Sequence, residues 1–592
     1  MSGDTPPAFL GVDHSALGRR WVGPDAARDR AAITLAQKLG LPDAVARVLA
    51  ARGITPEDAP HWLAPTLREL MPDPSLVTDM DAAAARLAEA VMRGERVAVF
   101  ADYDVDGAAS AALLLRWLGA LGIDTTLYVP DRIDEGYGPN TTAMTALAAA
   151  HPLILCVDCG THGHAAIAAA QSNGAEVLVV DHHLPGDTLP AVPVVNPNRR
   201  DDTSGLGALC AAGVVFVLLV AANRLLRTKM RSVPDLMALL DLVALATVAD
   251  VVPLTGLNRA FVRQGLRVLT QRGNPGLAAL SDRAQLRGRP SAHSIGFSLG
   301  PRINAGGRVG RADLGARLLA TADPQEAQAI ADALEACNAR RREIEAHVTD
   351  AALAQVETRD TTGALIWAAG AGWHPGVIGI VSARLREAYD KPALVFSLDG
   401  THAKGSGRSV PGIDLGAAVV RLSDAGLIEK GGGHAMAAGL TVAQADVAPV
   451  MARLSEMLAD KTSGTQPDPR AGSPGALALD GALSAHALRP DLLDRLEMAG
   501  PFGSGAPEPI FAVPSLRIEG LRELGSAHLS CRGRDASGAV VEAVAFRVRP
   551  GPLARFLSNA PDRPIHLAGR LSRDEWNGRN RIRLIIEDAA AG

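Results

Sequence analysis

From Met80 onward, short apolar runs alternate with alanine-rich stretches: Val97 to Phe100, Thr126 to Val129, Leu153 to Val157, Val177 to Val180 and Val192 to Val195. Each interval is long enough for a crossover helix, which predicts an α/β lobe, a mostly parallel sheet with helices on both faces. Ligands of such sheets bind beyond the carboxyl ends of the strands. Ahead of it, residues 1–75 read as short helices ending in proline-marked turns (Leu41-Pro42, Thr55-Pro56, Met71-Pro72-Asp73-Pro74), an N-terminal cap or arm without evident chemistry. After residue 320, Asp323-Pro324-Gln325-Glu326 predicts a helix start with a capping box. Ile330, Leu334, Cys337, Ile344 and Val348 carry an apolar stripe to about Val356, a helix of about 50 Å that ties two lobes together within 321–362. A second α/β unit spans 363–460, residues 461–475 have a linker's composition, and short strands in 476–592 (Leu516 to Ile518, Val540 to Phe546, Ile565 to Ala568, Ile582 to Ile586) predict a small β-barrel.

At 592 residues the chain exceeds one core and implies several domains. A hydrophobic content of 47% with 21% charged residues argues against disorder as the main theme. No apolar run reaches, without interruption, the ~18 residues that span a bilayer, and Met1 to Phe9 lacks a basic segment followed by an apolar one, so a cytoplasmic protein is expected. Five scattered cysteines argue against a disulfide framework, and the Cys156/Cys159 pair, with no second pair at zinc-ribbon spacing, reads as buried structural thiols. The net charge of −5 neither demands nor excludes a nucleic-acid partner.

The chemistry concentrates at strand ends. Asp102, Asp104 and Asp106 follow the first apolar run, and in extended backbone residues i, i+2 and i+4 share one side, so three carboxylates would converge. Like charges that close hold protons unless a cation neutralises them. Asp158 closes a second apolar run, Asp181-His182-His183 a third, and Asp250 follows an alanine-rich apolar stretch. All four clusters are expected on one rim. Oxygen ligands with an imidazole or two are the inventory of a two-metal site for hard divalent ions such as Mn²⁺.

DYDVDG, VDCG, DHH and ADVVPL, in this order, resemble the four motifs of the DHH phosphoesterase superfamily, and in detail its bacterial single-strand-specific 5′ exonucleases. The likeness extends over nearly all of the chain: EGYG at Glu135 to Gly138, GPRINAGGR at Gly300 to Arg308, KGSGRS at Lys404 to Ser409, GGGHAMAAG at Gly431 to Gly439 and GPFGSGAPEPIF at Gly500 to Phe511. The resemblance implies a DHH catalytic domain (76–320), a DHH-associated domain and a C-terminal OB-fold. It implies that Asp104, Asp106, Asp158, His182 and Asp250 bind two divalent ions, Mn²⁺ or Mg²⁺, with Asp158 bridging. Asp102 then replaces a histidine that other branches place near the first motif, His183 sits beside the scissile phosphate, and Asp181 acts on the site from behind.

Glycine runs ending in His434 suggest a loop where backbone approaches a ligand, and Gly432, Gly433 and His434 with Arg408 and Ser409 resemble the nucleotide-holding face of the second lobe. Arg302, Asn304 and Arg308, expected on a glycine-flanked loop between lobes, suit strand tracking or capture of a 5′ phosphate, with Arg132 a weaker candidate. His374 reads equally as structural or catalytic. With only 6 Trp, 4 Tyr and 10 Phe, stacking by the barrel is expected at few points such as Trp576, with Arg532, Arg534, Arg579 and Arg581 carrying more of the contact. The resemblance further implies single-stranded DNA as substrate, 5′ to 3′ polarity, 5′-mononucleotide products, a helicase and single-strand-binding protein as partners, and a monomer. The rival readings are a small-substrate phosphodiesterase of the same superfamily, acting on short oligonucleotides or cyclic dinucleotides, an inactive DNA-binding scaffold, and, weaker, an alanine-tRNA editing role suggested by the GGGH run.

Overall fold

The computed structural model describes residues 7–230, 232–359, 361–459, 475–525, 527–560, 563–574 and 581–592. Residues 461–474 of the expected linker, Trp576 and Arg579 lie outside these.

In the first lobe five parallel strands lie side by side in the order Thr125–Tyr128, Val97–Ala101, Leu153–Val157, Glu176–Val180 and Val194–Val195. The period-2 alternation of a strand divides the central residues between two cores. Val97, Val99, Ala101, Leu153, Leu155 and Val157 meet the helices Met80–Arg93, Val105–Ala120, Ala211–Leu226 and Leu240–Ala249. Ala98, Phe100, Ile154, Cys156, Val177 and Val179 meet Thr141–Ala148 and His164–Ser172. Cys156 and Cys159 are buried free thiols, as expected. The fifth strand is shorter than expected because Pro193 has no N–H for the ladder.

Helix Pro324–Glu357 spans 34 residues, about 51 Å. Ala327, Ile330, Ala331 and Leu334 pack on the first lobe, and Val348, Ala352 and Val356 on the second, so one helix belongs to both cores. The expected capping box does not form. Asp323 accepts from Gln325 N–H, but the Glu326 carboxylate is drawn outward by Thr321 Oγ1 (2.7 Å) and Arg317 Nη2 (2.8 Å). The second lobe is a mixed five-stranded sheet, parallel only between Ile366–Ala371 and Ala393–Leu398.

At the C-terminus, strands Phe511–Leu524, His528–Arg534, Val540–Ala545, Ile565–Asp574 and Arg581–Ala591 close into a barrel in the order 1-2-3-5-4-1, with helix Pro552–Ser558 between the third and fourth. The residues before the first lobe are not a free-standing arm. Arg20–Val22 pairs in parallel with Ala476–Ala478, the Trp21 indole donates to buried Asp588 at 3.2 Å, and Leu35, Val45 and Leu49 share a core with Leu496, Ala499 and Phe511. The two ends of the chain form one module, joined to the first lobe by Arg259. This buried guanidinium donates to the carbonyls of Trp62, Ala499, Gly500 and Pro501 at 2.6–3.0 Å and lies 4.1 Å over the Trp62 ring. No helix among the described residues is long and apolar enough to cross a membrane.

Removing Arg259 leaves the Trp62 and Pro501 carbonyls without a donor and the Ala499 and Gly500 carbonyls with only the longer bonds from Trp62 Nε1 and Arg263 Nη1 (3.3 Å each), so Arg259→Ala is expected to lower stability by about 3 kcal/mol and to release the terminal module first. Urea unfolding with limited proteolysis checks it; an unchanged midpoint would contradict the clamp.

Candidate metal centre and strand-binding face

Strand Val97–Ala101 ends at Asp102, and helix Val105–Ala120 starts three residues later. Asp104 caps that helix, its Oδ1 accepting from the N–H groups of Asp106 (2.9 Å) and Gly107 (3.2 Å). Asp106 therefore sits on the first helical turn, and the three carboxylates meet through a strand-to-helix turn rather than along extended backbone. Gly107 permits the turn, since a Cβ there would lie 2.3 Å from the Asp102 carbonyl oxygen. The Asp106 carboxylate accepts from Ala211 N–H (2.6 Å) and Ala212 N–H (2.8 Å) at the start of helix Ala211–Leu226.

Asp158 follows strand Leu153–Val157 with φ +57, and Asp181 follows Glu176–Val180. Asp250 closes a helix, Leu240–Ala249, where a sheet edge would have required a strand. His182 Nε2 lies 3.3 Å from Asp158 and 3.7 Å from Asp106, and its Nδ1 lies 3.8 Å from Asp250. Three trios bring ligand atoms within 4.8 Å of one another: Asp102/Asp104/Asp158, Asp106/His182/Asp250 and Asp158/His182/His183. Asp158 and His182 each belong to two.

Burial and neighbouring carboxylates push Asp102, Asp106 and Asp158 above the usual carboxylate range, and Asp250 up to about 8. Asp102 Oδ1 and Asp158 Oδ1 are buried without a hydrogen-bond donor. Lone pairs left open among hard oxygen donors, with imidazole at hand, fit divalent cations such as Mn²⁺ or Mg²⁺. Asp181 has a different task. Its Oδ1 accepts from His182 N–H (2.7 Å), His183 N–H (3.2 Å) and His183 Nδ1 (2.8 Å), and its Oδ2 from Thr161 N–H (3.1 Å). These bonds, His183's above all, outweigh burial and hold Asp181 well below the usual range. Burial alone would depress His183, but Asp181 lifts it to about 9.

Tyr137 was not anticipated as a site residue. Its hydroxyl lies 3.2 Å from the Asp158 carbonyl and 3.1 Å from His183 Nδ1. Asn196 and Asn198, also missed, donate to the carbonyls of His183 and His182. Nothing in their spacing announces them, because they act on backbone that only the fold brings near.

The arginine face departs from expectation in several places. Arg302, Asn304 and Arg308 lie on helix Gly300–Val309, not a loop. Gly306 and Gly307 serve close packing there; a Cβ on Gly307 would lie 2.9 Å from the Tyr103 carbonyl oxygen. Arg302 is engaged by Glu335 and the Ser298 carbonyl, and Asn304 Oδ1 accepts from Val105 N–H at 3.1 Å, so both support structure. Arg308 is half-buried, donates to the Gly376 carbonyl at 2.9 Å, and is pushed down to about 10 by burial and by Arg132, Arg341 and Arg408. No ion pair joins Arg132, Arg308 or Arg408 to a carboxylate among the described residues. Arg132 lies 5.0 Å over the Tyr103 ring.

Arg408 ends strand His402–Arg408, where Ser406, on the same face by strand alternation, lies 3.4 Å away. Ser409 is fully buried and donates to Ile413 O at 2.7 Å, which removes it from any ligand-facing surface. The glycine run is likewise a strand, Lys430–His434, paired with Ala437–Ala443. Gly431 permits close packing on Val419 of helix Leu415–Asp424, and a Cβ on Gly433 would strike the Ala437 carbonyl of the paired strand, whereas Gly432 faces open space and His434 is exposed. His374 Nδ1 accepts from Gly376 N–H at 3.1 Å, the bond of a turn-forming residue. On the barrel Arg532 is exposed, Arg534 pairs with Glu519, and Arg581 lies 3.9 Å from Glu542.

Family models match three stretches: the DHH family N-terminal domain at 96–247, the DHHA1 domain at 361–460 and the RecJ OB domain at 479–588. Fold and site thus define a two-lobed DHH-type phosphoesterase carrying an OB barrel. The chain is 36% identical over 575 residues to the single-stranded-DNA-specific exonuclease RecJ of Salmonella typhimurium, covering 93% of this chain and 96% of that one. It superposes on crystal structures of Thermus thermophilus RecJ in complex with Mn²⁺ (TM-score 0.78, 31% identity, 97% of this chain and 79% of that one) and with Mg²⁺ (0.73, 29%, 97% and 78%). The chain belongs to the RecJ family.

A carboxyl with a raised pKa binds its proton more tightly folded than unfolded, so metal-free stability should fall as pH rises from about 4, through the Asp250 value of about 8. His183 acts in the same direction: its stabilisation is complete below about 6.5 and lost as pH climbs through about 9. Cations neutralise the ionised cluster, so the gain in melting temperature on adding Mn²⁺ is expected to be larger at pH 8 than at pH 5. Thermal scans with EDTA or Mn²⁺ check this; a gain independent of pH would contradict it.

Proposed function

We propose that this chain is a metal-dependent exonuclease that degrades single-stranded DNA from the 5′ end, releasing 5′-mononucleotides, in recombination and repair. The observation that carries the reading is the shared membership of Asp158 and His182 in the carboxylate and histidine trios, within a chain related to RecJ over nearly its whole length. Asp102, Asp104, Asp106, Asp158, His182 and Asp250 would hold the ions. A pair of divalent ions, when bound, supplies neutralisation of phosphate charge and activation of the attacking water.

The chain's own residues do the rest. The amides of Ala211 and Ala212 aim Asp106 inward, and Asp181 fixes the orientation of both histidines. His183, half-buried and held at Nδ1 by Asp181, offers its ring beside the reacting phosphate. Arg132, Arg308 and Arg408, with Ser406, form a cationic seat that a terminal 5′ phosphate would neutralise. Gly432 and His434 border the same lobe's open face. The barrel would hold the strand beyond the cut, and a helicase and single-strand-binding protein would supply it to a monomeric, cytoplasmic enzyme.

End-labelled single strands, with each terminus labelled in turn and Mn²⁺ or Mg²⁺ present, test the class: label released first from the 5′ end is expected. A preference for dinucleotides would favour the small-substrate reading. Asp158→Ala and His182→Ala should abolish cleavage in folded, metal-saturated protein, and unchanged rates in either would remove the core of the proposal. Arg408→Ala should raise KM for 5′-phosphorylated strands by about tenfold while leaving 5′-hydroxyl strands unaffected. Equal effects on both substrates would contradict the phosphate seat.

A further inference from the structure

Resting on the two-ion reading above, we propose that the loop 499–505 of the terminal module is a brace that positions Asp250, and thereby sets the affinity of the cation position formed by Asp106, His182 and Asp250. Asp250 N–H donates to Ala246 O at 2.9 Å, closing its helix, and Val251 follows with φ +59. A β-branched residue rarely adopts left-handed backbone, and Val251 is 68% exposed, so its own packing does not hold it there.

The constraint comes from the far side of the turn. Leu254 N–H donates to Ser504 O at 2.8 Å, and the Pro253 carbonyl accepts from Asn258 Nδ2 at 3.1 Å. A Cβ on Gly503 would lie 2.7 Å from Leu254 Cδ1; one on Gly505, itself at φ +68, would lie 3.0 Å from Pro253 Cβ. Two glycines therefore let the loop backbone lie directly on Pro253 and buried Leu254. The loop is bolted in turn by Arg259, through the carbonyls of Ala499, Gly500 and Pro501. The residues between the helix end at Ala249 and Leu254, Asp250 to Pro253, are thus pinned on both sides, and Val251 among them is strained.

This gives the GPFGSGAP segment a task distinct from holding DNA. Groups that orient a metal ligand without touching the ion typically change affinity by 10–100-fold when removed. Asp250 has no hydrogen-bond donor of its own among the described residues comparable to those that aim Asp106 and Asp181, so its orientation depends on the backbone beneath it.

The test is titration of the full-length chain with Mn²⁺ alone, following the free ion by its electron paramagnetic resonance signal, in the wild type, Gly505→Ala, Leu254→Ala, Asp250→Asn and the Gly505→Ala/Asp250→Asn double variant. Two ions are expected on the wild type. One dissociation constant should rise about tenfold in both Gly505→Ala and Leu254→Ala while the other holds, and the double variant should bind no more weakly than Asp250→Asn alone. Melting curves establish folding, and Leu254→Ala, which introduces no clash, decides the matter if Gly505→Ala misfolds. Unchanged constants in a folded variant, equal weakening of both positions, or additive losses in the double variant would overturn the brace. Fewer than two ions on the wild type would instead overturn the two-ion reading beneath it.

Discussion

Asp102, Asp104, Asp106, Asp158 and Asp250 are gathered at one rim of the first lobe, where burial and mutual repulsion oppose the ionisation of most of them. Such a cluster is costly in a bare protein and becomes favourable only when cations occupy it. Much of the surrounding architecture can be understood as what holds these groups together against that repulsion. Adjacent parallel strands deliver Asp102, Asp158 and Asp181 to the same edge; helix Ala211–Leu226 presents free amides to Asp106; and helix Leu240–Ala249 brings in Asp250 from outside the sheet.

The second lobe and the terminal module surround this rim in different ways. One 34-residue helix is shared by the cores of both lobes, and Arg308 reaches from the first lobe to the Gly376 carbonyl of the second. The terminal module is built from both ends of the chain and meets the first lobe through Arg259 and the turn after Asp250. Chain topology therefore couples the cationic face, the carboxylate rim and the barrel, although the groups involved are far apart in sequence.

The sheet of the first lobe was legible because buried parallel strands are nearly uniform apolar runs; Asp158, Asp181 and His182 were legible because they stop such runs abruptly, and Asp250 because it stops an apolar run that proves to be a helix. The connecting helix was legible from its apolar stripe and Asp323-Pro324 start. What failed did so for identifiable reasons. Glycines in GPRINAGGR and GGGH looked like loop signals, but Gly307 and Gly433 are there because a Cβ would strike neighbouring backbone, and a helix and a strand run through them. Ser409 resembles a ligand-facing residue through the KGSGRS run, but its hydroxyl is spent on Ile413 O, and it is Ser406 that shares a strand face with Arg408. The union of the two chain ends, and the parts played by Tyr137, Asn196 and Asn198, depend on contacts between distant segments that no local pattern encodes.

The carboxylates and His182 at this rim are arranged as a cage for two cations. Anomalous diffraction at the manganese edge from crystals grown with Mn²⁺ tests it most directly. Two peaks about 3.5–4 Å apart, both within bonding distance of the Asp158 carboxylate, are expected. A single peak, or manganese bound only away from Asp158 and His182, would contradict it.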